Sequence, residues 1–394
     1  MVRIIEGQGE LKHMPMTFQW QIERLPFLWS PLPTPSGGPL PEALPFTLGL
    51  DQVTGRLVQL PSPKVDAALD AAYRLGSMIA GRLDECGIGR TYTDDFLGYI
   101  DRAIGPVAGL RILEIGSGTG YLLHRLAARG ADTVGVEPGE HSQDRFSGPN
   151  VLLLRDFFPT NQIDGKFDVV IMYNVLEHVA TFADWFEAVS ELLSSGGRLL
   201  ISVPACDEFL NVGDPSILVH EHFSYFTSET LGHTLAIGGF GHNQMEPSGV
   251  GRSWYVTSEI GDGPSRPDLE RITHEAEGFR RDSIELVQRI SGFLSATSDA
   301  GESVAIYVPL RAINAIVMSG APIEHCRFFD DDTHLQGCFL PGAAIAIEGR
   351  DRLLESPTDH VLIMSESFGE QIRNGLAPKL PTTTRVLHIG ELHD

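Results

Sequence analysis

The chain has 394 residues and 43.0 kDa, with 42% hydrophobic and 21% charged residues, a globular balance that excludes extended disorder and fibrous repeats. Its 29 basic against 52 acidic side chains leave a formal charge of −23, which repels phosphate backbones and excludes nucleic acid as a general partner. At this length two or three domains are expected.

Residues 1 to about 65 read as irregular. Six prolines fall within Pro31–Pro45, a density that neither a helix nor an inner strand accommodates. From Val65 to about Ile104 apolar residues recur at three- and four-residue spacings, as in amphipathic helices. Short apolar strands then alternate with helices: a strand at 111–116, a helix at 119–130 stopped by Gly130, and strands at 132–138, 150–156 and 167–174. A helix at 178–197 and a strand at 198–204 follow, and SWYVTSE (253–259) adds a late strand. Such alternation predicts an α/β fold with a parallel sheet covered on both faces. A polar helical pattern runs from about Asp268 to Ala296. A second, smaller α/β unit resumes with strands at 303–308, 325–331, 343–349 and 360–366 and a helix near LRAINAIVMSG. The expected division is an irregular Pro-rich segment (1–65), a ligand-binding α/β domain (66–262), a connecting helix (263–300) and a C-terminal α/β domain (301–394).

Four cysteines (Cys86, Cys206, Cys326 and Cys338) are scattered singly, without metal-ligand spacing, which suggests a reducing compartment. The start lacks a secretory pattern, and nowhere do 18 apolar residues run together. A cytoplasmic protein without a membrane partner is expected.

The most specific local feature is Glu114-Ile-Gly116-Ser117-Gly118-Thr-Gly120-Tyr121 at the junction of the first strand and helix of the main unit. Glycines there allow a tight turn and a close approach of ligand to backbone, with free N–H groups at the helix start. A dinucleotide fingerprint would need glycine where Tyr121 stands, and the Gly-Lys-Ser/Thr of a P-loop is absent. Glu137, followed by Pro138, ends the second strand 21 residues after Gly116, where an acidic side chain can accept both hydroxyls of a ribose. Asp156 and Phe157 end the third strand, and Asn174-Val175-Leu176-Glu-His178 follows the fourth.

The glycine pattern, with these residues in order over about 90 positions, resembles the class I S-adenosylmethionine (SAM) dependent methyltransferases. The resemblance implies a Rossmann-like sheet and SAM as cofactor, with S-adenosylhomocysteine (SAH) as product. It places the glycine loop on the amino-acid part of SAM, with Glu114 orienting the loop. Glu137 falls on the ribose, Asp156 and Phe157 on the adenine, and Asn174, Val175 and Leu176 beside the methionine portion.

After the last core strand comes Val219-His220-Glu221-His222-Phe223-Ser224-Tyr225-Phe226. Three titratable groups in a row beside a cofactor pocket invite acid–base roles. His-x-His could also be a metal pair, but the sequence offers no third ligand at clear spacing, so no metal is expected; a plain strand with alternating polar residues is the remaining alternative. Together with the NVLEH segment and the loop Asp330–Gly342 (DDDTHLQGCFLPG), this stretch is similar to the sugar C-methyltransferases that act on nucleotide-linked keto-sugars. That resemblance, over roughly Leu110 to Leu376, implies His222 as base, with Glu221 holding it or binding sugar hydroxyls. It places His178 at the keto oxygen, with His220 nearby.

The departures fall on the acceptor side. Val219 stands where the family has tyrosine, and its N-terminal zinc module is missing, with Gln52 and Gly55 where a cysteine pair would be, so no zinc is expected. A glycine turn that opens the last domain has become Tyr307-Val-Pro-Leu-Arg-Ala-Ile313. The expectation is therefore methylation of a sugar or nucleotide sugar, carbon ahead of oxygen, by a possible homodimer. The alternatives are an O-methyltransferase on a small-molecule hydroxyl, a nucleotide-dependent oxidoreductase, and a non-catalytic methyltransferase-like partner subunit.

Overall fold

The computed structural model describes residues 18–28, 31–35, 40–74, 87–139, 148–263, 266–365 and 368–392. In chain order these form β1 (Gln19–Pro26), β2 (Ala43–Leu50), β3 (Leu57–Gln59), α1 (Pro63–Arg74) and α2 (Gly87–Ala103). The main α/β unit continues with β4 (Arg111–Ile115), α3 (Tyr121–Ala127), β5 (Asp132–Val136), β6 (Val151–Leu154), β7 (Phe167–Tyr173), α4 (Ala183–Leu192) and β8 (Leu193–Pro204). Then come α5 (Asp207–Val212), β9 (Ser224–Tyr225), α6 (Ser228–Ile237), β10 (Phe240–Pro247), β11 (Ser253–Ile260) and α7 (Leu269–Ala300). The C-terminal unit comprises β12 (Val304–Tyr307), α8 (Ile313–Ser319), β13 (Cys326–Phe329), β14 (Ile347–Glu348), α9 (Arg350–Glu355), β15 (His360–Ile363), α10 (Gly369–Leu376) and β16 (Arg385–His388).

Among the described residues there are three sheets. The largest has the order β10-β11-β8-β7-β4-β5-β6, parallel from β6 through β8 and closed by antiparallel β11. Its inner strands are buried on both sides. Leu113, Val170, Met172, Leu199 and Ile201 join one hydrophobic cluster, while Ile112, Val169, Ile171 and Leu200 join another. This period-2 division of continuous apolar runs is what two helical layers require. It is the expected Rossmann-like sheet. The strand order reverses beside β4, so a crevice opens at the carboxyl ends of β4 and β7.

The second, smaller α/β domain is present as a five-stranded parallel sheet, β14-β13-β12-β15-β16. Two of its details differ from expectation: only Ile347–Glu348 of the 343–349 run joins the five-stranded sheet, and β16 was not anticipated. The connecting helix is α7, started by the Asp268 side chain, which accepts from the Arg271 N–H at 3.2 Å, and ended by left-handed Gly301.

The N-terminal segment corrects the sequence expectation. Instead of an irregular lead-in it forms a four-stranded sheet, β1-β2-β3-β9, whose fourth strand comes from residues just after His222. Phe18, Trp20, Ile22, Phe46, Leu48 and Leu50 bury one face against Phe279 of α7 and Tyr225. Five of the six prolines fall between β1 and β2, and Pro45, inside β2, stands opposite the register shift between Ile22 and Leu25. The helix expected at 178–197 is also shorter, because β7 draws Leu193 onward into β8 by pairing Phe167 with Leu193. No helix among the described residues is long and apolar enough to cross a membrane.

Candidate functional site

Every carboxyl end of the parallel strands β4 to β7 carries a residue singled out in the sequence. Gly116 opens the loop after β4 at φ +71°, and its N–H donates to Val136 O at 2.8 Å. A Cβ at Gly116 would stand 2.5 Å from Cγ2 of Val175, so glycine is required both by the turn and by the segment packed on it. Gly118 and Gly120 are also left-handed, and Gly120 leads directly into α3, where Tyr121 begins the helix. The free N–H groups expected of this loop are not found at its glycines: the amides of Gly116 and Ser117 donate to Val136 O, that of Gly118 to Glu137 and that of Gly120 to Ser117 O, which fixes the loop's shape at the start of α3. Glu114 and Ser117 beneath it are buried.

Glu137 ties this loop to the end of β5. Its two carboxyl oxygens accept from Gly118 N–H at 3.1 Å and Gly139 N–H at 2.8 Å. Burial raises its pKa, and the two amides oppose that by favouring the anion. Second lone pairs on both oxygens remain for ligand hydroxyls. Pro138 continues the strand end.

Asp156 is turned toward its own loop: it accepts from Thr160 Oγ1, Phe157 N–H and Gln162 Nε2 at 2.5, 2.8 and 2.7 Å, and these donors lower its pKa, Thr160 first. Phe157 and Asp156 therefore form a preorganised turn beside β6. Asn174 is left-handed (φ 53°), exchanges hydrogen bonds with Ser202 of β8, and hands the chain to a 3₁₀ turn over Leu176–His178.

That turn presents Glu177 and His178. His178 Nδ1 lies 2.9 Å from Glu221 O, and its Nε2 lies 4.0 Å from Glu177 Oε1. A backbone oxygen only accepts, so Nδ1 donates to it and Nε2 is the ring nitrogen left facing Glu177. His222 faces the same place, with its ring centroid 4.8 Å from that of His178. Burial, then neighbouring His178, holds its imidazole well below the ordinary pKa, so it is neutral. Glu177 is only 2% exposed, and burial pushes its carboxyl up to about 7. Its Oε2 has no hydrogen-bond partner.

β3 holds the His222 segment in place: Gln59 N–H donates to Phe223 O at 3.1 Å and Gln59 Nε2 to His220 O at 3.0 Å. A buried pair, Asp51 and Arg56, braces the same sheet; Arg56 also donates to Ser224 Oγ at 3.2 Å and stacks over Phe182. From the other side Asn314 of α8 donates to Pro215 O and Leu218 O at 2.8 and 2.7 Å.

The structure thus brings His178 and His222 together with the Glu221 backbone, and it adds Glu177, which the sequence showed only as the fourth letter of NVLEH. Burial made that glutamate chemically distinctive, and burial has no local sequence signal. His220 goes elsewhere. It is fully buried between Phe27 and Phe46, with Nε2 3.4 Å from Leu25 O and its pKa lowered to about 4 by burial. It packs the N-terminal sheet and takes no part in the His178–His222 pair, because a turn rather than a strand separates it from His222.

The loop Asp330–Gly342 borders a second, open cavity of about 660 Å³ lined by Asp331, Gln336, Arg350 and Arg352 among others. Tyr307 donates its hydroxyl to Asp331 at 2.5 Å and accepts from Arg350 Nε at 3.1 Å. Beside it Val308 occupies φ +61°, a strained place for a β-branched residue, where the resembling family carries glycine.

Residues 90–241 match the model of a methyltransferase domain. Over 171 residues the chain is 26% identical to a ubiquinone biosynthesis O-methyltransferase of Acinetobacter baumannii, spanning 38% of this chain and 71% of that protein. Over 120 residues it is 35% identical to the protein of that name from Ruegeria sp., spanning 28% and 49%. A solved structure, 1,6-didemethyltoxoflavin-N1-methyltransferase of Burkholderia thailandensis with bound SAH, aligns at 18% identity and a TM-score of 0.38 over 52% of this chain and 96% of that one, too distant to bear on function.

Proposed function

We infer that this SAM-dependent methyltransferase acts on a small, oxygen-rich acceptor that must lose a proton before it takes the methyl group, and that a keto-sugar carried on a nucleotide, methylated on carbon, is that acceptor. The observation that carries the inference is the convergence of Glu177, His178 and His222, through the Val175–Gly116 contact, on the glycine loop at the sheet's carboxyl edge.

Methyl transfer needs the sulfonium carbon in line with a nucleophile that is anionic or becomes so. On carbon next to a ketone, that nucleophile is an enolate: the α-proton leaves, the electron pair moves to the carbonyl oxygen, and the C–C bond forms as the S–C bond breaks, releasing SAH. The cluster offers the neutral His222 imidazole, His178 and the Glu177 carboxyl where the proton leaves and the oxyanion collects. In this reading Glu137 takes the ribose of SAM and the glycine loop packs against its amino-acid end. Arg350 and Arg352 at the C-terminal cavity are paired with Asp331 and with Glu348 and Glu355, so an anionic nucleotide would have to compete with those carboxylates for them.

O-methylation of a small-molecule hydroxyl is a second reading, favoured by the names of the relatives matched over the SAM domain. It uses the same cluster for one proton. SAH release, followed with nucleotide-linked keto-sugars and with hydroxylated aromatics, separates the two. In either case His222→Ala and His178→Ala are expected to lose roughly 10²–10⁴-fold in turnover with SAM binding retained. Unchanged turnover in both variants overturns the site assignment.

A further inference from the structure

We propose that Glu177, His178 and His222 form a binding site for one divalent transition-metal ion, open on the side where the acceptor is methylated. The three offer one ligand atom each, and these atoms all lie within 4.8 Å of one another. Two imidazole nitrogens with one carboxylate are a donor set suited to Zn²⁺, Co²⁺ or Fe²⁺ rather than to Mg²⁺ or Ca²⁺, which take oxygen ligands. The His-x-His pair visible in the sequence is not the one used. The fold withdraws His220 into the N-terminal sheet and supplies His178 and Glu177 from the turn after β7.

The hydrogen bonds already present favour an ion. His178 is fixed by Glu221 O at 2.9 Å, which leaves its Nε2 on the side of Glu177 Oε1, 4.0 Å away. A metal-bound histidine ordinarily donates its other N–H to a carbonyl or carboxylate in this way. Glu177 Oε2 is buried without a hydrogen-bond partner, and no protein group among the described residues hydrogen-bonds the His222 ring. Ligand atoms of these types that converge this closely are stabilised by a shared cation. Bonds of about 2.1 Å require ligand atoms within roughly 4.2 Å of one another, which small side-chain rotations from the present spread supply.

Three protein ligands leave coordination positions for the acceptor. A keto oxygen and a neighbouring hydroxyl could both bind, and the ion would stabilise the enolate or alkoxide by Lewis acidity while a bound hydroxide takes the proton and becomes water. His222 is then a ligand rather than the base. What the ion does rests on the function proposed above; whether it binds does not.

The test uses the full chain, stripped with a chelator, dialysed and titrated with Co²⁺ while its visible absorption is followed. SAH affinity is measured by calorimetry on the same samples. One saturable equivalent is expected, weakened more than about tenfold in Glu177→Gln and in His222→Ala, with SAH binding unchanged. If His222→Ala fails to bind SAH, His222→Gln replaces it. A wild-type protein that binds SAH but shows no saturable Co²⁺ signal overturns the metal site and leaves methyl transfer standing. An undiminished signal in the variants overturns it too, since the ion then sits elsewhere. Co²⁺ binding without SAH binding leaves the metal site and overturns the cofactor pocket.

Discussion

Gly116→Ala probes the junction on which the cofactor loop depends. The substitution meets two costs. At φ +71° an alanine sits in the left-handed region, at a cost of about 1–2 kcal/mol. Its Cβ would also lie 2.5 Å from Val175 Cγ2, well inside van der Waals contact. Valine has one stiff χ1 and is packed on the main core cluster, so it cannot swing aside freely; overpacking of this kind costs about 1–3 kcal/mol. The free protein relieves both by shifting the loop, and SAH binding must restore it, so the strain appears as lost affinity. A loss of at least tenfold in SAH affinity by calorimetry is expected, up to several hundredfold for about 3.5 kcal/mol. In Gly116→Ala/Val175→Ala the overlap is gone and only the backbone cost remains, so the double variant recovers part of the loss. SAH binding and melting temperature both equal to wild type in Gly116→Ala would refute the placement of the loop against Val175.

Arg56→Met leaves Asp51 buried and uncompensated, and the expected loss of unfolding free energy is about 3–5 kcal/mol, recovered in part by adding Asp51→Asn. Calorimetric melting checks it, and a change below about 1 kcal/mol would show that the pair is not desolvated. Asp330 is held near 6 by burial and by Asp332 and Asp331, above its ordinary 3.8. The native state therefore holds that proton more tightly than the unfolded chain, and this stability is present below pH 3.8 and lost as pH rises through 6. Asp330→Asn, whose amide oxygen can still accept from Asp332 N–H, is expected to be more stable at neutral pH by on the order of 2 kcal/mol. Equal denaturation midpoints for the two proteins at neutral pH would contradict this.

The order of strands and the cofactor loop were legible because each rests on a local pattern. Continuous β-branched runs mark inner parallel strands, and Gly116 to Gly120 marks a turn only glycine makes. The N-terminal sheet was not legible. Its strands are short or broken by prolines, and β3 pairs with Ser224–Tyr225, a partner more than 160 residues away. The His220-Glu221-His222 run shows the same limit within three residues. Chemical type was visible, but a turn held by Gln59 decides that one histidine fills a core while the other faces a site. Glu177 went unselected for a related reason. Its distinction is the absence of solvent, created where its turn packs against β8 and β9 and Phe223 N–H donates to its backbone oxygen.

The pairing of β9 with β3 bears on how such an enzyme could be recombined. The short strand that follows His222 belongs by sequence to the methyltransferase domain and by hydrogen bonds to the N-terminal sheet, while Asn314 clasps the same stretch from the C-terminal unit. Three parts of the chain therefore share a single seam. A chimera that exchanged only the central α/β domain would carry His178 and His222 across without the surfaces that seat them, so the stretch at 215–225 is inherited together with both flanks or not at all.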